Sequence, residues 1–250
     1  MTVADYGFAF VLLVVASVYE SAYFWPQFRA GVAAGDPEAR TRAYRRGIIG
    51  QWLFAAAAVT IWSLYERPWD ALRLTMPPGW RLVLGIGFVV AAIGLLVLQL
   101  WSVARLSSAR RIAAQPKLGN VAFMLPHTAR EERWFVGLSI TAGVCEELLF
   151  RGYLPWLFAP WLGQVGAMAL VVALFGLSHA YQGRRGATRA TLAGAVMAAS
   201  VLTTGSLIPA MIVHAAIDMG GGTVGYWLLR EGRDAGRPLT VQVVPEIGEA

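Results

Sequence analysis

Seven apolar segments, each about as long as a membrane-spanning helix, constrain this chain more than any other feature. A bilayer is crossed by about 20 apolar helical residues, and a helix satisfies all of its own backbone hydrogen bonds there. Hydrophobic residues make up 57% of the sequence and charged residues only 14%. The sequence therefore predicts an all-α, polytopic transmembrane helical bundle of about seven helices, and not a soluble domain. The helices are predicted at about 6–25, 48–65, 81–101, 134–158, 164–182, 190–204 and 206–229.

Positive charge is distributed unevenly between the connections of this bundle. Of the 21 Lys and Arg residues, 17 fall in alternate connections and the C-terminal tail, and three fall in the connection between the second and third helices. Loops rich in Lys and Arg stay on the cytoplasmic side of a membrane, so the N-terminus is predicted outside and the C-terminus in the cytoplasm. The same bias accounts for the net charge of +6 without a nucleic-acid partner. The first segment lacks a preceding positive charge and a small-residue cleavage site, which favours a retained helix over a signal peptide.

The chain is predicted to divide into three parts. Residues 1–127 form three transmembrane helices and a cytoplasmic loop, residues 128–230 form a catalytic four-helix core, and residues 231–250 form a polar tail. Thr128 and Glu131 fit a capping box, which predicts that the fourth helix begins there, before it enters the membrane.

Three charged side chains interrupt the apolar segment 134–158: Glu146, Glu147 and Arg151. Ionised groups inside a membrane cost about 2.5–3.5 kcal/mol each on insertion scales, so a cluster of them indicates function. Glu147 and Arg151 are four residues apart on one helix face, which predicts an ion pair. Glu146 lies about 100° round the helix from Glu147 and is predicted to have no partner of its own, as a reactive carboxylate would.

Two of the three histidines lie inside predicted helices. His179 follows Phe175 by four residues, so the phenyl ring can cover the imidazole from the same face. His214 and Asp218 also share a face and can hydrogen-bond. The third histidine, His127, is predicted to be a solvated loop residue.

These residues resemble the three motifs of the CAAX protease and bacteriocin-processing (CPBP, or Abi) family, which includes the Ras-converting CAAX endopeptidase. The similarity covers residues 134–220 and is carried by Glu146-Glu147-x-x-x-Arg151, then Phe175-x-x-x-His179, then His214-x-x-x-Asp218. The resemblance implies an intramembrane endopeptidase that hydrolyses a peptide bond of a membrane-associated protein. Three motifs in order on three helices are far more specific than any one of them.

The resemblance also implies a role for each residue. Glu146 would activate water as general base, and His179 would orient that water or carry its proton. His214 and Asp218 would stabilise the oxyanion, while the Glu147–Arg151 pair, with Phe175, supports the site. The family commonly has Asn at the position of Asp218, and an ionised Asp cannot donate a hydrogen bond. Asp218 is therefore expected either to stay protonated in its apolar site or to accept from a protonated His214, and the second is preferred because His214 is a ready partner.

Two chemical alternatives remain open. Glu146, His179 and His214 could instead bind zinc, but no His-Glu-x-x-His pair stands on one helix, so no metal cofactor is expected. Cys145 could act as a nucleophile, although a small apolar packing role is the simpler interpretation.

Two other classes of function compete with a protease. Buried Glu and His also form proton relays, which is compatible with a proton-coupled transporter, although the sequence has no internal repeat. A non-catalytic scaffold or bacteriocin-immunity protein is the third hypothesis. The expected partners are the lipid bilayer and a membrane-anchored protein or peptide substrate, and the expected location is the bacterial inner (cytoplasmic) membrane.

Overall fold

The computed structural model describes residues 1–234, which fold into a helical bundle without a strand in that range. The seven predicted helices are confirmed, and one further short helix, Ser108–Ala114, lies in the predicted loop between the third and fourth of them. The predicted polar tail begins inside the last helix, and its residues 235–250 lie outside the described part of the chain. The helices are α1 (Val3–Ala33), α2 (Ala39–Leu64), α3 (Trp80–Ala104), the short α4 (Ser108–Ala114), α5 (Ala129–Glu147), α6 (Leu154–Ser178), α7 (Gly183–Thr204) and α8 (Ile208–Asp234).

The helices extend beyond the apolar segments that predict them. Helix α2 begins at Ala39, nine residues before the predicted start, because the arginine-rich stretch 40–46 is helical too. Helix α7 begins at Gly183, so the predicted basic connection 183–189 forms its first two turns. Arginine is a good helix former, and hydropathy alone does not detect helical turns that project from a membrane.

Three glycines in positive-φ conformations, Gly163, Gly183 and Gly205, separate the helices of the C-terminal half. Gly163 has φ 65° and ψ 170°, and it breaks α6 where the predicted fourth and fifth helices meet. Gly205 has φ 74° and ends α7 in the left-handed conformation that glycine adopts without strain. The chain reverses direction at such points, and α5 thereby comes to pack between α2 and α8.

Helix α5 begins at the predicted capping box. The backbone N of Glu131 donates to Thr128 Oγ1 at 3.2 Å, and the backbone N of Thr128 donates to Glu131 Oε2 at 3.0 Å. Glu131 also accepts a hydrogen bond from the backbone N of His127 at 2.6 Å. His127 is buried at 7% exposure, so the prediction that it is a solvated residue is wrong.

A buried ion pair fastens α1 to the C-terminal half. Arg67 donates to both carboxylate oxygens of Asp5, at 2.7 and 2.6 Å, and Tyr153 Oη donates to Asp5 Oδ1 at 2.6 Å. The guanidinium lies 4.5 Å from the Trp156 ring centre. Asp5 is completely buried, so its charge depends on these partners. Sequence spacing does not predict this cluster, because its members come from three distant segments.

Four helical stretches in the described part of the chain are long and apolar enough to cross a membrane. They are Val3–Ala33, Ala39–Leu64, Trp80–Ala104 and Ala129–Ser178, and the last contains the break at Gly163. The chain is an integral membrane protein. The predicted orientation, with the N-terminus outside, stays a prediction.

Candidate active site

The acidic motif lies where α5 changes its helical geometry. Helix α5 ends at Glu147, and residues Leu148–Tyr153 form a wider π-helical turn that leads into α6. All six residues of this turn are buried. Here the turn carries Arg151 into the core of the bundle.

Gly143 allows α5 to lie unusually close to α8. A Cβ atom at this position would stand 2.7 Å from Ala215 Cβ and 2.8 Å from both the Ala215 nitrogen and the Met211 carbonyl oxygen. Real Cβ atoms do not approach other atoms this closely, so only glycine fits. The close approach brings Glu146 and Glu147, one turn further along α5, up to His214 on α8.

Glu147, Arg151 and His214 form a buried network. Arg151 Nη1 lies 3.1 Å from Glu147 Oε1, which is the ion pair predicted from the sequence. His214 Nδ1 donates to the same oxygen at 2.7 Å. Glu147 and Arg151 are 0% and 1% exposed at their side chains, so both charges depend on each other.

An aromatic ring and a glycine complete the surroundings of Arg151. The guanidinium lies over the Phe175 ring at 4.2 Å from its centre, a cation–π contact. Gly194 on α7 leaves room for both groups, since a Cβ there would be 2.8 Å from Arg151 Nη2 and 3.1 Å from Phe175 Cδ1. The absence of a side chain at Gly194 therefore makes room for a buried cation.

Glu146 has a partner that sequence reasoning missed. Gln51 on α2 donates from Nε2 to Glu146 Oε1 at 2.8 Å. The expectation that this carboxylate has no partner is wrong, because the amide comes from a helix 95 residues earlier. The other oxygen, Oε2, lies 3.8 Å from His214 Nε2, and the Glu146 side chain is 17% exposed. Gln51 thus holds Oε1 of the Glu146 carboxylate, and Oε2 remains accessible to a reactant.

His214 is oriented by Glu147 and not by Asp218. Its Nδ1 donates to Glu147, while Nε2 lies 3.6 Å from Asp218 Oδ2, beyond hydrogen-bond distance. The expected His214–Asp218 hydrogen bond is therefore replaced by a longer ion-pair contact. The imidazole Nε2 points between Glu146 and Asp218, whose side chain is 40% exposed. A protonated His214 would present one N–H to this open region.

His179 caps the end of α6 with a defined ring orientation. Its Nδ1 lies 2.8 Å from the Phe175 carbonyl oxygen, an acceptor, so Nδ1 carries the proton and Nε2 is left available. The ring lies 4.5 Å from the Phe175 ring, as predicted, and the Phe175 ring is also 6.2 Å from the His214 ring. Phe175 therefore contacts both imidazoles.

Helix α1 supports the turn that follows His179. The Trp25 and Tyr181 rings stack at 3.7 Å with an interplanar angle of 12°, and Arg29 donates to the Tyr181 carbonyl oxygen at 2.7 Å. No local motif predicts these contacts. The presence of aromatic and basic side chains near a helix end is the one feature of the sequence that points to them.

The geometry of the site bears on the two chemical alternatives, zinc binding and a Cys145 nucleophile. Among the side chains that the structure describes, those of residues 1–230, no three or more of His, Cys, Asp or Glu are arranged to hold a metal ion. The candidate zinc ligands Glu146, His179 and His214 have hydrogen-bond partners of their own. Cys145 is 0% exposed and belongs to the central apolar cluster, which agrees with a packing role.

One family model matches part of the chain. The family model described as "Type II CAAX prenyl endopeptidase Rce1-like" matches residues 131–220. The matched segment contains the acidic motif and both helical histidines, and it confirms the resemblance derived from the motifs. Gln51, Trp25 and Arg29 lie outside it. No curated protein and no solved structure matches the chain.

Proposed function

We propose that this protein is an intramembrane endopeptidase in which Glu146 activates a water molecule. One observation carries the proposal: a carboxylate with one accessible oxygen faces an imidazole Nε2 at 3.8 Å, within a segment that resembles the CAAX prenyl endopeptidases. Peptide hydrolysis needs a base for water, donors for the oxyanion and an acid for the leaving amine. Glu146, His214 and His179 are suited to these tasks in that order.

Glu146 takes a proton from water at its accessible oxygen, and the resulting hydroxide attacks the peptide carbonyl. His214 donates from Nε2 to the developing oxyanion, because Glu147 holds its Nδ1 proton and favours the charged ring. Asp218, near the same Nε2, keeps the imidazole protonated between turnovers. The proton on Glu146 then passes to the leaving amine, directly or through His179, which restores the carboxylate.

The substrate class follows from the position of the site. Glu146 lies in a helical stretch that is apolar enough to cross a membrane, so the scissile bond must reach this depth. A membrane-anchored protein or peptide meets this requirement, and the bacterial inner membrane remains the proposed location. No metal takes part in the proposed reaction.

The test compares purified wild-type protein with Glu146→Gln in liposomes that contain membrane proteins of the host cell. New protein termini, identified by mass spectrometry, are expected with the wild type and absent with Glu146→Gln, which keeps its shape but cannot take a proton. Glu132→Gln, at the start of the same helix, is the control and should retain activity. Cleavage by Glu146→Gln at the wild-type rate would refute the role of this carboxylate.

Chelation separates the water-activating glutamate from zinc catalysis. The wild type is expected to remain active after treatment with 1,10-phenanthroline and EDTA. Stoichiometric zinc, loss of activity on chelation and recovery with added metal would overturn the mechanism while leaving the protease proposal in place.

A further inference from the structure

Gln51 is the group in direct contact with Glu146 that the family resemblance does not include. It lies on α2, outside the matched segment 131–220, and its Nε2 donates to Glu146 Oε1 at 2.8 Å. The other end of its amide, Oε1, is buried and has no hydrogen-bond partner among the side chains described, those of residues 1–230, or the backbone of the described helices. A buried polar atom without a partner is costly and calls for an explanation, and a bound water molecule is one such explanation.

The chemistry of an amide suits a neighbour of a general base. A neutral N–H donor stabilises the carboxylate and fixes its orientation, whereas a lysine or arginine in its place would make the carboxylate a weaker base. Because Gln51 already donates to Oε1 of Glu146, Oε2, the oxygen that faces His214, is the freer of the two to take the proton from water. Gln51 thereby favours reaction at Oε2.

We propose that Gln51 is a positioning residue for the hydrolytic water, a proposal that rests on the function proposed above. Its amide N–H holds Glu146, and its unpartnered amide oxygen accepts a hydrogen bond from the water that Glu146 deprotonates. The water then has one hydrogen directed at Glu146 Oε2 and the other at Gln51 Oε1. With both hydrogens directed, its lone pair faces the substrate carbonyl.

A neighbouring hydrogen bond between the same two helices is the matched control. Trp52 Nε1 donates to Thr141 Oγ1 at 3.2 Å, so α2 and α5 are joined there too, without contact to Glu146. Thr141→Val removes this bond and preserves the side-chain shape. Any loss of activity that arises from weaker packing of α2 on α5 should appear in Thr141→Val as well.

The first measurement tests the contact without relying on protease activity. Thermal unfolding is followed for Gln51→Leu, Glu146→Leu and the double variant. Gln51→Leu should lower the Tm by roughly 3–10 °C, since it removes a charge-assisted hydrogen bond. It should have no further effect in the Glu146→Leu background. Equal shifts in both backgrounds would show that the two side chains do not interact and would overturn the proposal.

The second measurement tests positioning. This measurement uses a substrate that the wild type has been shown to cleave. Gln51→Leu should lower kcat at least about tenfold while KM changes less than about threefold, because a misplaced water slows the chemical step and not substrate binding. Thr141→Val should stay within about threefold of wild type in both constants. An unchanged kcat in Gln51→Leu, or an equal loss in Thr141→Val, would refute the role. If the wild type cleaves nothing while the Tm coupling is present, the proposed function fails and Gln51 is a structural contact only.

Discussion

Replacement of Gly143 by alanine should separate the two helices that carry the acids and the histidine of the site. The new Cβ would be 2.7 Å from Ala215 Cβ and 2.8 Å from two backbone atoms of α8, and ordinary contact requires 3.4–4 Å. Backbone atoms of a helix cannot move aside individually. The helices must therefore move apart by about 0.7–1.3 Å, the difference between the two distances.

The expected cost follows from that separation. The 2.7 Å hydrogen bond between His214 Nδ1 and Glu147 Oε1 would lengthen to about 3.4–4.0 Å, beyond hydrogen-bond range. Overpacking of a core costs about 1–3 kcal/mol. The lost hydrogen bond to a charged group adds about 1.5–3 kcal/mol. Activity should fall by about 100-fold, since a misplacement of 1 Å is sufficient for such a loss.

Gly137→Ala is the matched control on the same helix. Its Cβ would lie 3.6 Å from Ile48 Cδ1, an ordinary contact. Alanine is the better helix former, so the Tm of Gly137→Ala should equal or exceed that of wild type. The assays are thermal unfolding in detergent and the cleavage assay described above. Wild-type Tm and activity in Gly143→Ala would show that α5 and α8 are not in such close contact.

Two further substitutions test buried charges. Arg151→Ala should reduce stability by about 3–5 kcal/mol and lower membrane abundance as well as activity, because it leaves Glu147 buried with fewer partners. Abundance is measured by immunoblot and activity by the cleavage assay. Normal values of both would refute a structural role for Arg151. Arg67→Ala should reduce stability by a similar free energy and lower the Tm accordingly, because it leaves Asp5, which is 0% exposed, without its ion-pair partner. Arg42→Ala is its control, since the Arg42 side chain is 57% exposed in its own ion pair and its replacement should leave the Tm nearly unchanged. Equal Tm values for Arg67→Ala and Arg42→Ala would contradict a stabilising role for the buried Asp5–Arg67 ion pair.

The helices and their number could be predicted from the sequence because each is encoded locally. An apolar stretch of bilayer length predicts a helix wherever it occurs, and all seven stretches form one. The ends of the helices were predicted less well. Turns that carry arginine, such as 40–46 and 183–189, continue the helix beyond the apolar segment, and hydropathy does not detect them.

Pairs within one helix were partly predictable for the same local reason. Residues four apart share a face, and the Glu147–Arg151 pair forms at 3.1 Å as expected. The His214–Asp218 pair has the same spacing but stays at 3.6 Å, because Glu147 on another helix binds the imidazole at 2.7 Å. A shared face makes a contact available, but neighbouring helices compete for it.

The sequence by itself determined that the protein is a helical membrane protein with seven predicted helices, and it singled out the residues proposed to carry its chemistry, since these depend on composition, spacing and motif. Only the tertiary structure decided how those residues are connected. Gln51 reaches Glu146 across 95 residues, and His214 reaches Glu147 across 67. Such contacts depend on the close approach of whole helices, which a single glycine such as Gly143 permits. No local pattern encodes that distance, because it arises from how all the surrounding side chains pack together.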